Sequence, residues 1–396
     1  MNLRKNIKTY YFYSIFCDLL ILGPILVIFL SKVKGLSFTE IMVLQSISAL
    51  SVFIFEVPTG AIADLVGRKI SILLFSLLCS LSLIIYIFGT SFVIFVLAEI
   101  TFSLGASLRS GADGALIYDS LKALNKENEF QLIEGKARSY SLYAQAVGSI
   151  LSSFVYDIHP YLPFVISVLF MFITGIITLY FIEPPFKLDN SNSKNNLHSY
   201  FTQIKISWKY IICHEKLKAI IIFSMIFFIF YRAGFWYFQP YLEAVNIPIK
   251  FFGIIFFIFN ITAALASRKS NYIINKSKPK TLTFMAGLII ISFLLLGIIK
   301  SPLGIIDILL QQVARGIYRP VTTKYLNKHI PSSQRATILS FQSLIANIAV
   351  AITFPIMGLL KDNVSIFFTH TVLGIAMLVM ILLITRYMNA RLGVKS

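Results

Sequence analysis

The feature that most limits what this chain can become is a series of apolar runs, each about twenty residues long, separated by short polar gaps. The runs lie near 10–31, 38–58, 70–89, 92–120, 138–158 and 162–182, then near 217–240, 250–267, 282–299, 303–326, 336–359 and 366–386. A bilayer core about 30 Å thick is crossed by about 20 apolar residues in a helix. A water-soluble core does not require one such run after another. Only 13% of the residues are charged, roughly half of the ~25% found in soluble domains. The pattern predicts an all-α integral membrane protein with twelve transmembrane helices.

A formal net charge of +18 raises the question of nucleic acid. Nucleic-acid surfaces gather Lys and Arg along one stripe or helix face. Here the basic residues sit in clusters between the runs, so no nucleic-acid partner is expected. Their distribution instead orients the chain, because cytoplasmic loops carry the excess of Lys and Arg. With the N-terminus inside, the inner segments hold about 26 of the 35 basic residues. The outer loops hold Lys32, Lys34, Lys250, Lys300 and Lys361, while Arg109, Arg232, Arg315 and Arg319 fall within runs. Both termini are therefore expected in the cytoplasm. Arg4, Lys5 and Lys8 before the first run imitate a signal peptide, but the run is too long and no small-residue cleavage site follows. It reads as an uncleaved first span. Cys17, Cys79 and Cys213 show no metal-ligand spacing, so neither a disulfide nor a metal site is expected.

Only one gap is long. Residues 183–215, with Glu183-Pro184-Pro185 followed by a polar stretch, divide the chain into a first six-span bundle (1–182), a cytoplasmic connection (183–215) and a second bundle (216–396). The halves resemble each other weakly, as repeats in a transporter do. A shift of about 211 lays Gly67-Arg68-Lys69 on Lys278-Pro279-Lys280, and a shift of 206 lays Arg109 on Arg315. Asp113 and Arg319 follow those arginines by four residues.

Between spans two and three the sequence reads Gly60-Ala61-Ile62-Ala63-Asp64-Leu65-Val66-Gly67-Arg68-Lys69. This resembles the Gly-x-x-x-Asp-x-x-Gly-Arg-Lys motif of the major facilitator superfamily, at the loop where that family carries it. The resemblance covers the whole chain and implies two pseudo-symmetric six-helix bundles. Physically, Gly60 and Gly67 permit a tight reversal and close helix approach, and Asp64 can accept backbone N–H bonds near a helix start. In the family this loop latches one of the alternating-access states. The resemblance thus implies that Arg68 bonds Asp119 at the inner end of span four, and that Asp64 faces the start of span eleven near Arg335. The alternative is that Arg68 and Lys69 only enforce topology.

Ionisable groups inside spans are costly and face a cavity or a partner. At 100° per residue Glu99, Ser103, Arg109, Ser110 and Asp113 share about 120° of arc on span four, with Arg109 and Asp113 spaced to pair. Drug/proton antiporters of the family carry an Arg in span four that is tied to proton coupling. Arg109 matches it, although the glycine expected four residues later is Asp113. A purely structural Arg109–Asp113 bridge is the alternative. Asp18, about eight residues into span one, has no basic residue at i±3 or i±4. A carboxylate without a counter-ion in low dielectric holds its proton more readily. Asp18 is therefore the first candidate for proton coupling, with Glu99, Arg109 and Asp113 next, unless it is bridged across helices. In the second half, span ten carries Asp307, Gln311, Arg315 and Arg319 at spacing four, and span seven carries Arg232 beside Trp236 and Tyr237. Arg232, Trp236, Gln311, Arg315 and Arg319 are substrate-cavity candidates; Trp236 and Tyr237 fit an interfacial belt equally well. The five histidines receive no role.

The resemblance is greatest to bacterial drug/proton antiporters. It implies a secondary transporter that works in the lipid bilayer of a bacterial inner membrane, as a monomer, and exports a small amphipathic molecule. No cofactor is expected, and the proton gradient supplies the drive. Span five carries Gly148 but lacks the Gly-Pro motif usual in drug exporters. An alternative cargo is an anionic metabolite or siderophore held by cavity arginines. A non-transporting receptor would carry a large soluble domain or long tail, and an enzyme a nucleophile–base pair or phosphate loop; neither pattern is visible.

Overall fold

The computed structural model describes residues 3–184, 211, 213–277, 280–330 and 335–392. Within its helices the side chains at 57, 61, 64, 271, 327–329, 335–337 and 388–392 are not among those described. Most of the connection expected at 183–215 also lies outside these residues.

The described residues form helices and no strand. The chain divides into two compact units, one comprising Met1–Leu36 with Val43–Leu197 and the other Ser37–Met42 with His198–Ser396. The first holds α1 (Lys5–Cys17), the short α2 (Leu26–Ile28) running into a π-turn at Phe29–Val33, most of α3 (Phe38–Val66), α4 (Arg68–Phe88), α5 (Phe92–Arg109), α6 (Ala112–Lys122), α7 (Phe130–Ile158) and α8 (Leu162–Leu179). The second holds α9 (Glu215–Ala244), α10 (Phe252–Arg268), α11 (Ser270–Ser277), α12 (Thr281–Ile298), α13 (Ile305–His329), α14 (Arg335–Asn363) and α15 (Ile366–Leu392).

Among the described residues nine helices are long and apolar enough to cross a membrane. The expected runs missing from that set are the first, fifth and tenth. These are helical as well, but the first is interrupted after Cys17 and the other two, in α7 and α13, are rich in polar groups. The polar residues that keep them from reading as plain membrane helices include Asp18, Ser141, Gln311 and Arg315.

Helix α8 shows how lipid shapes such a bundle. Its exposed side carries Val165, Leu169, Phe172, Ile176 and Leu179, at alternating spacings of four and three. Its buried side carries Ser167, Met171, Thr174 and Thr178. The hydroxyls bond carbonyls one turn back within the helix, Ser167 to Pro163 and Thr174 to Phe170. This satisfies them and leaves small surfaces for tight helix contact. An exposed stripe of Leu, Ile and Phe is destabilising in water and neutral in hydrocarbon.

The units repeat one packing plan. In the first, α4 packs on α5 and α8, and α1 on α7 and α8; in the second, α12 packs on α13 and α15, and α9 on α14 and α15. At the C-terminal end of α4, Lys34 Nζ donates to the carbonyls of Ile87 (2.7 Å) and Gly89 (3.0 Å), a cation placed where the helix dipole favours it. The second unit includes the start of α3, where Asp362 accepts bonds from Phe38 N (3.2 Å), Thr39 N (2.7 Å) and the Thr39 hydroxyl (2.6 Å).

Candidate functional site

Two helices of the first unit break where their charges meet. Helix α1 ends at Cys17, and Asp18 leaves helical geometry with φ −104° and ψ 1°. Helix α5 ends at Arg109; Ser110 extends, and Gly111 takes φ +79°, a left-handed conformation that glycine adopts without strain. Broken backbone at membrane depth persists only where protein or a watered cavity satisfies it. Here Ile21 N donates to the Ser167 hydroxyl (3.3 Å) and Ile25 N to the Leu22 carbonyl (3.0 Å). The segment after Asp18 lies against Gly148 of α7, where a Cβ would stand 3.1 Å from Ile21 and 3.2 Å from Leu19.

Into this gap Arg109 extends its fork. Nη1 donates to Asp18 Oδ1 (2.8 Å), Nη2 to Asp18 Oδ2 (3.3 Å) and Nε to Asp113 Oδ2 (3.0 Å). Asp18 Oδ2 also accepts a 2.5 Å bond from the Ser141 hydroxyl, and Arg138 stands 3.9 Å away. Asp113 Oδ1 accepts from Gly114 N at 2.7 Å. The guanidinium lies over the rings of Phe75 (5.3 Å) and Tyr13 (5.8 Å). Two carboxylates thus share one enclosed guanidinium, with the more exposed Arg138 completing the balance. Bidentate pairing of this kind fixes geometry as well as charge.

Two expectations change. Asp18 is not without a counter-ion: its partner lies 91 residues away, so spacing along its own helix could not reveal it. The continuous polar arc on span four does not exist either, because the helix breaks at Ser110–Gly111. Arg109 and Asp113 still pair across the break, whereas Glu99 belongs elsewhere. It is 7% exposed and accepts bonds from the Tyr86 hydroxyl (2.7 Å) and Gln45 Nε2 (3.3 Å).

At the motif loop, Gly67 takes φ +97° between α3 and α4, so the reversal is located there. Gly60 lies inside α3, where a Cβ would meet nothing within 4 Å among the described residues. Among those residues it serves no close approach. Arg68 Nη1 bonds Asp119 Oδ2 at 2.6 Å, the contact that the resemblance implied. The expected facing of Asp64 and Arg335 involves side chains outside those described. Glu183, which looked like the first residue of a linker, caps α4 by accepting from Arg68 N and Lys69 N, both at 2.8 Å. Lys69 Nζ in turn donates to the Leu179 carbonyl (2.7 Å) at the end of α8.

In the second unit Arg315 Nη1 donates to Asn260 Oδ1 and Gln312 Oε1, both at 3.1 Å. Arg319 is exposed, and Arg232 stands 5.8 Å over the Phe228 ring. Trp236 (7% exposed) and Tyr237 (0%) are buried, so they form no interfacial belt. Gln311 is buried and donates to the Ser292 hydroxyl at 3.0 Å. Ser141, Arg138 and Glu183 are the residues that sequence reasoning missed. For Glu183 the signal was a lone carboxylate directly after span six; for Ser141 and Arg138 no local signal existed.

The sequence profile of the Major Facilitator Superfamily matches residues 12–302 and 221–394. A relative from Bacillus subtilis (strain 168), the uncharacterized MFS-type transporter YxaM, is 26% identical over 368 residues, covering 92% of this chain and 91% of its own length. Among solved structures, the nucleoside transporter NupG superposes with a TM-score of 0.80 at 14% identity, over 98% of this chain and 99% of its own. A D-xylose-proton symporter gives 0.69 at 14% identity, over 94% and 95%. Apolar spans, motif loop, internal ion pair and these likenesses lead to one conclusion: the chain belongs to the Major Facilitator Superfamily and is a multi-pass membrane transporter.

Proposed function

We propose that this transporter exports a small amphipathic molecule, a drug or a metabolite, in exchange for protons, and that the Asp18–Arg109–Asp113 cluster is the coupling site. One observation carries the reading: an enclosed carboxylate–guanidinium pair stands where two helices are interrupted. A proton taken up by Asp18 removes the charge that holds the fork of Arg109. Arg109 is then left to Asp113, and the irregular segment after Asp18 loses its anchor. The energies are comparable. One charge moved through 100 mV yields about 2.3 kcal/mol, and a hydrogen bond to a charged group contributes about 1.5–3 kcal/mol.

In this reading the chain crosses a bacterial cytoplasmic membrane twelve times with both termini inside, and works as a monomer without a cofactor. The basic clusters on alternate loops support that orientation. Abundant Ile, Lys, Asn and Phe point to an AT-rich bacterial genome. The test is transport by purified protein in proteoliposomes under an imposed pH gradient, with a panel of dyes, antibiotics and organic anions. Asp18→Asn, which keeps the shape of the side chain, is expected to fold and to lose pH-driven transport. Full transport by that variant removes Asp18 from the mechanism.

A second reading has its own observation. Arg315 donates to two neutral amides, so its charge is not offset by a carboxylate among the described residues. This favours an anionic cargo such as a carboxylate metabolite or siderophore. Protection of the purified protein by organic anions but not by lipophilic cations selects it over the first.

A further inference from the structure

The start of α1 and the end of α8 flank a recess that the coupling site does not use. Asn6 fixes these two ends against each other: its Nδ2 donates to the Ile182 carbonyl (2.8 Å) and its Oδ1 accepts from Ile182 N (2.9 Å). Beside this clamp lies a space of about 370 Å³, lined by Lys5, Lys8, Thr9 and Phe12 of α1 and by Ile177 and Tyr180 at the end of α8. The four residues of α1 stand at i, i+3, i+4 and i+7, so they share one face of the helix. All six belong to the first unit.

The walls are of two kinds. Phe12 (60% exposed) and Tyr180 (71%) are large rings on the outside of the bundle, and Ile176 and Leu179 continue the apolar surface along α8. Lys5 and Lys8 are exposed cations. No carboxylate among the described residues pairs with either of them. Glu183, just after α8, is already bonded to Arg68 N and Lys69 N. Lys69 Nζ, on the Leu179 carbonyl, adds a third cation one residue before Tyr180. The connection that follows brings more positive charge, since residues 185–210 hold Asp189 against Lys187, Lys194, Lys205 and Lys209.

These cations also stand at the electrostatically unfavourable end of their helix. The first turn of α1 carries no acidic residue, and the positive end of the helix dipole lies there too. Lys34, at the C-terminal end of α4, shows the favourable case. What balances the start of α1 is an anion from outside the chain, and the apolar wall indicates which kind. A free anion would engage only the lysines. An amphiphile engages the lysines with its charged end and Phe12, Ile177 and Tyr180 with its apolar end. Small-molecule sites occupy about 300–1,000 Å³, so the recess has room for a headgroup while acyl chains lie outside it. Lysine stems lie along apolar surface with the ammonium in the polar layer, and tyrosines favour the same depth.

We propose that the seam of α1 and α8 is a binding site for one anionic phospholipid. Lys5 and Lys8 hold its phosphate, and its acyl chains run past Phe12 and Ile177 onto the exposed side of α8. No covalent bond changes. The site requires neither a direction of transport nor a role for Asp18, because its readout is lipid occupancy.

The test is photolabelling of the full-length protein in phosphatidylcholine nanodiscs. The probes are phosphatidylglycerol and phosphatidylcholine, each with a photoreactive group near the top of one acyl chain. Phosphatidylglycerol should label Phe12 and Ile177 in excess over phosphatidylcholine. Lys5→Gln and Lys8→Gln should each lower that excess about fivefold, the worth of one lysine beside an anionic headgroup. Lys5→Arg with Lys8→Arg should retain it. Thr9→Phe fills the recess while leaving both charges, and should abolish the excess; it also decides the matter if the glutamine variants fail to insert. Equal labelling by the two probes overturns the proposal, as does an excess that survives either Lys→Gln or Thr9→Phe. Competition by inorganic phosphate would reveal a site for free anions and overturn it as well.

Discussion

The two units share a packing plan and treat polar groups in opposite ways. In the first, opposite charges meet: Arg109 is held by Asp18 and Asp113, and the helices α1 and α5 stop there. In the second, Arg315 meets amides, Gln311 a hydroxyl and His370 a carbonyl, while α9 and α13 run on for 30 and 25 residues. The difference is instructive. A neutral partner can be reached from an intact helix, since one weak bond of flexible geometry suffices. A guanidinium that must serve two carboxylates needs them converging from several directions, and interrupted backbone permits that convergence. The first unit is organised around one guanidinium shared by two carboxylates. The second holds its buried polar side chains through bonds to neutral groups.

The largest expected effect follows directly. Arg109→Gln leaves Asp18 and Asp113 facing each other without their shared cation. Breaking a fully buried ion pair in this way costs about 3–5 kcal/mol; with the Arg109 side chain 25% exposed the loss should lie at the low end of that range, and the variant should melt well below the parent in detergent. Adding Asp18→Asn to it should restore part of the loss, because the stranded charge is gone. If Arg109→Gln melts no lower than Arg315→Gln, the contrast between the units fails.

The next effect tests the break itself. Gly148→Val places methyl groups against Leu19 and Ile21, whose contacts with even a Cβ would be 3.2 and 3.1 Å. Overpacking of this size costs about 1–3 kcal/mol. Cysteines introduced at 20 and 24 should then label faster in the variant, since the irregular segment is displaced. Unchanged labelling with unchanged melting would mean that Gly148 is not what the segment rests on.

What could be read in advance follows from range. Apolar runs are legible because hydrocarbon acts on each helix separately, and the Arg109–Asp113 spacing is legible because both partners lie within one turn. Asp18 was legible as a costly charge but not as a paired one, since Arg109 and Ser141 reach it from distant parts of the chain. The break at Gly111 was hidden inside a run that read as continuous from 92 to 120, although Ser110-Gly111 marks it. His370 was passed over because a lone histidine near the start of a span carries no pattern. Only the packing of α9 and α12 around it shows that the ring is buried among aromatic side chains. Local rules find the charged residues, and tertiary convergence decides what each one faces.

A smaller effect is expected where the partners are neutral. Arg315→Gln exchanges a guanidinium for an amide that can still bond Asn260, so the melting loss should correspond to about 0.5–1.5 kcal/mol. Transport of an anionic cargo would fall in the same variant while that of a cationic one would not. This separates the two cargo readings with a single substitution.

The smallest effect concerns how matching helices begin. Helix α4 starts at Arg68 with the Glu183 carboxylate on its first amides, whereas the residue before α12, Lys280, makes no side-chain bond to the start of its helix. A carboxylate at a helix start contributes about 0.3–1 kcal/mol through the dipole. Glu183→Gln keeps acceptor capacity and removes the charge, so global melting should barely move. Its signature should be local: faster hydrogen exchange at the amides of Arg68 and Lys69, by up to about fivefold if the full 1 kcal/mol is lost, with α12 unaffected. A global loss approaching that of Arg109→Gln would show that Glu183 holds the motif loop and the end of α8 as one body, since Lys69 ties that loop to Leu179.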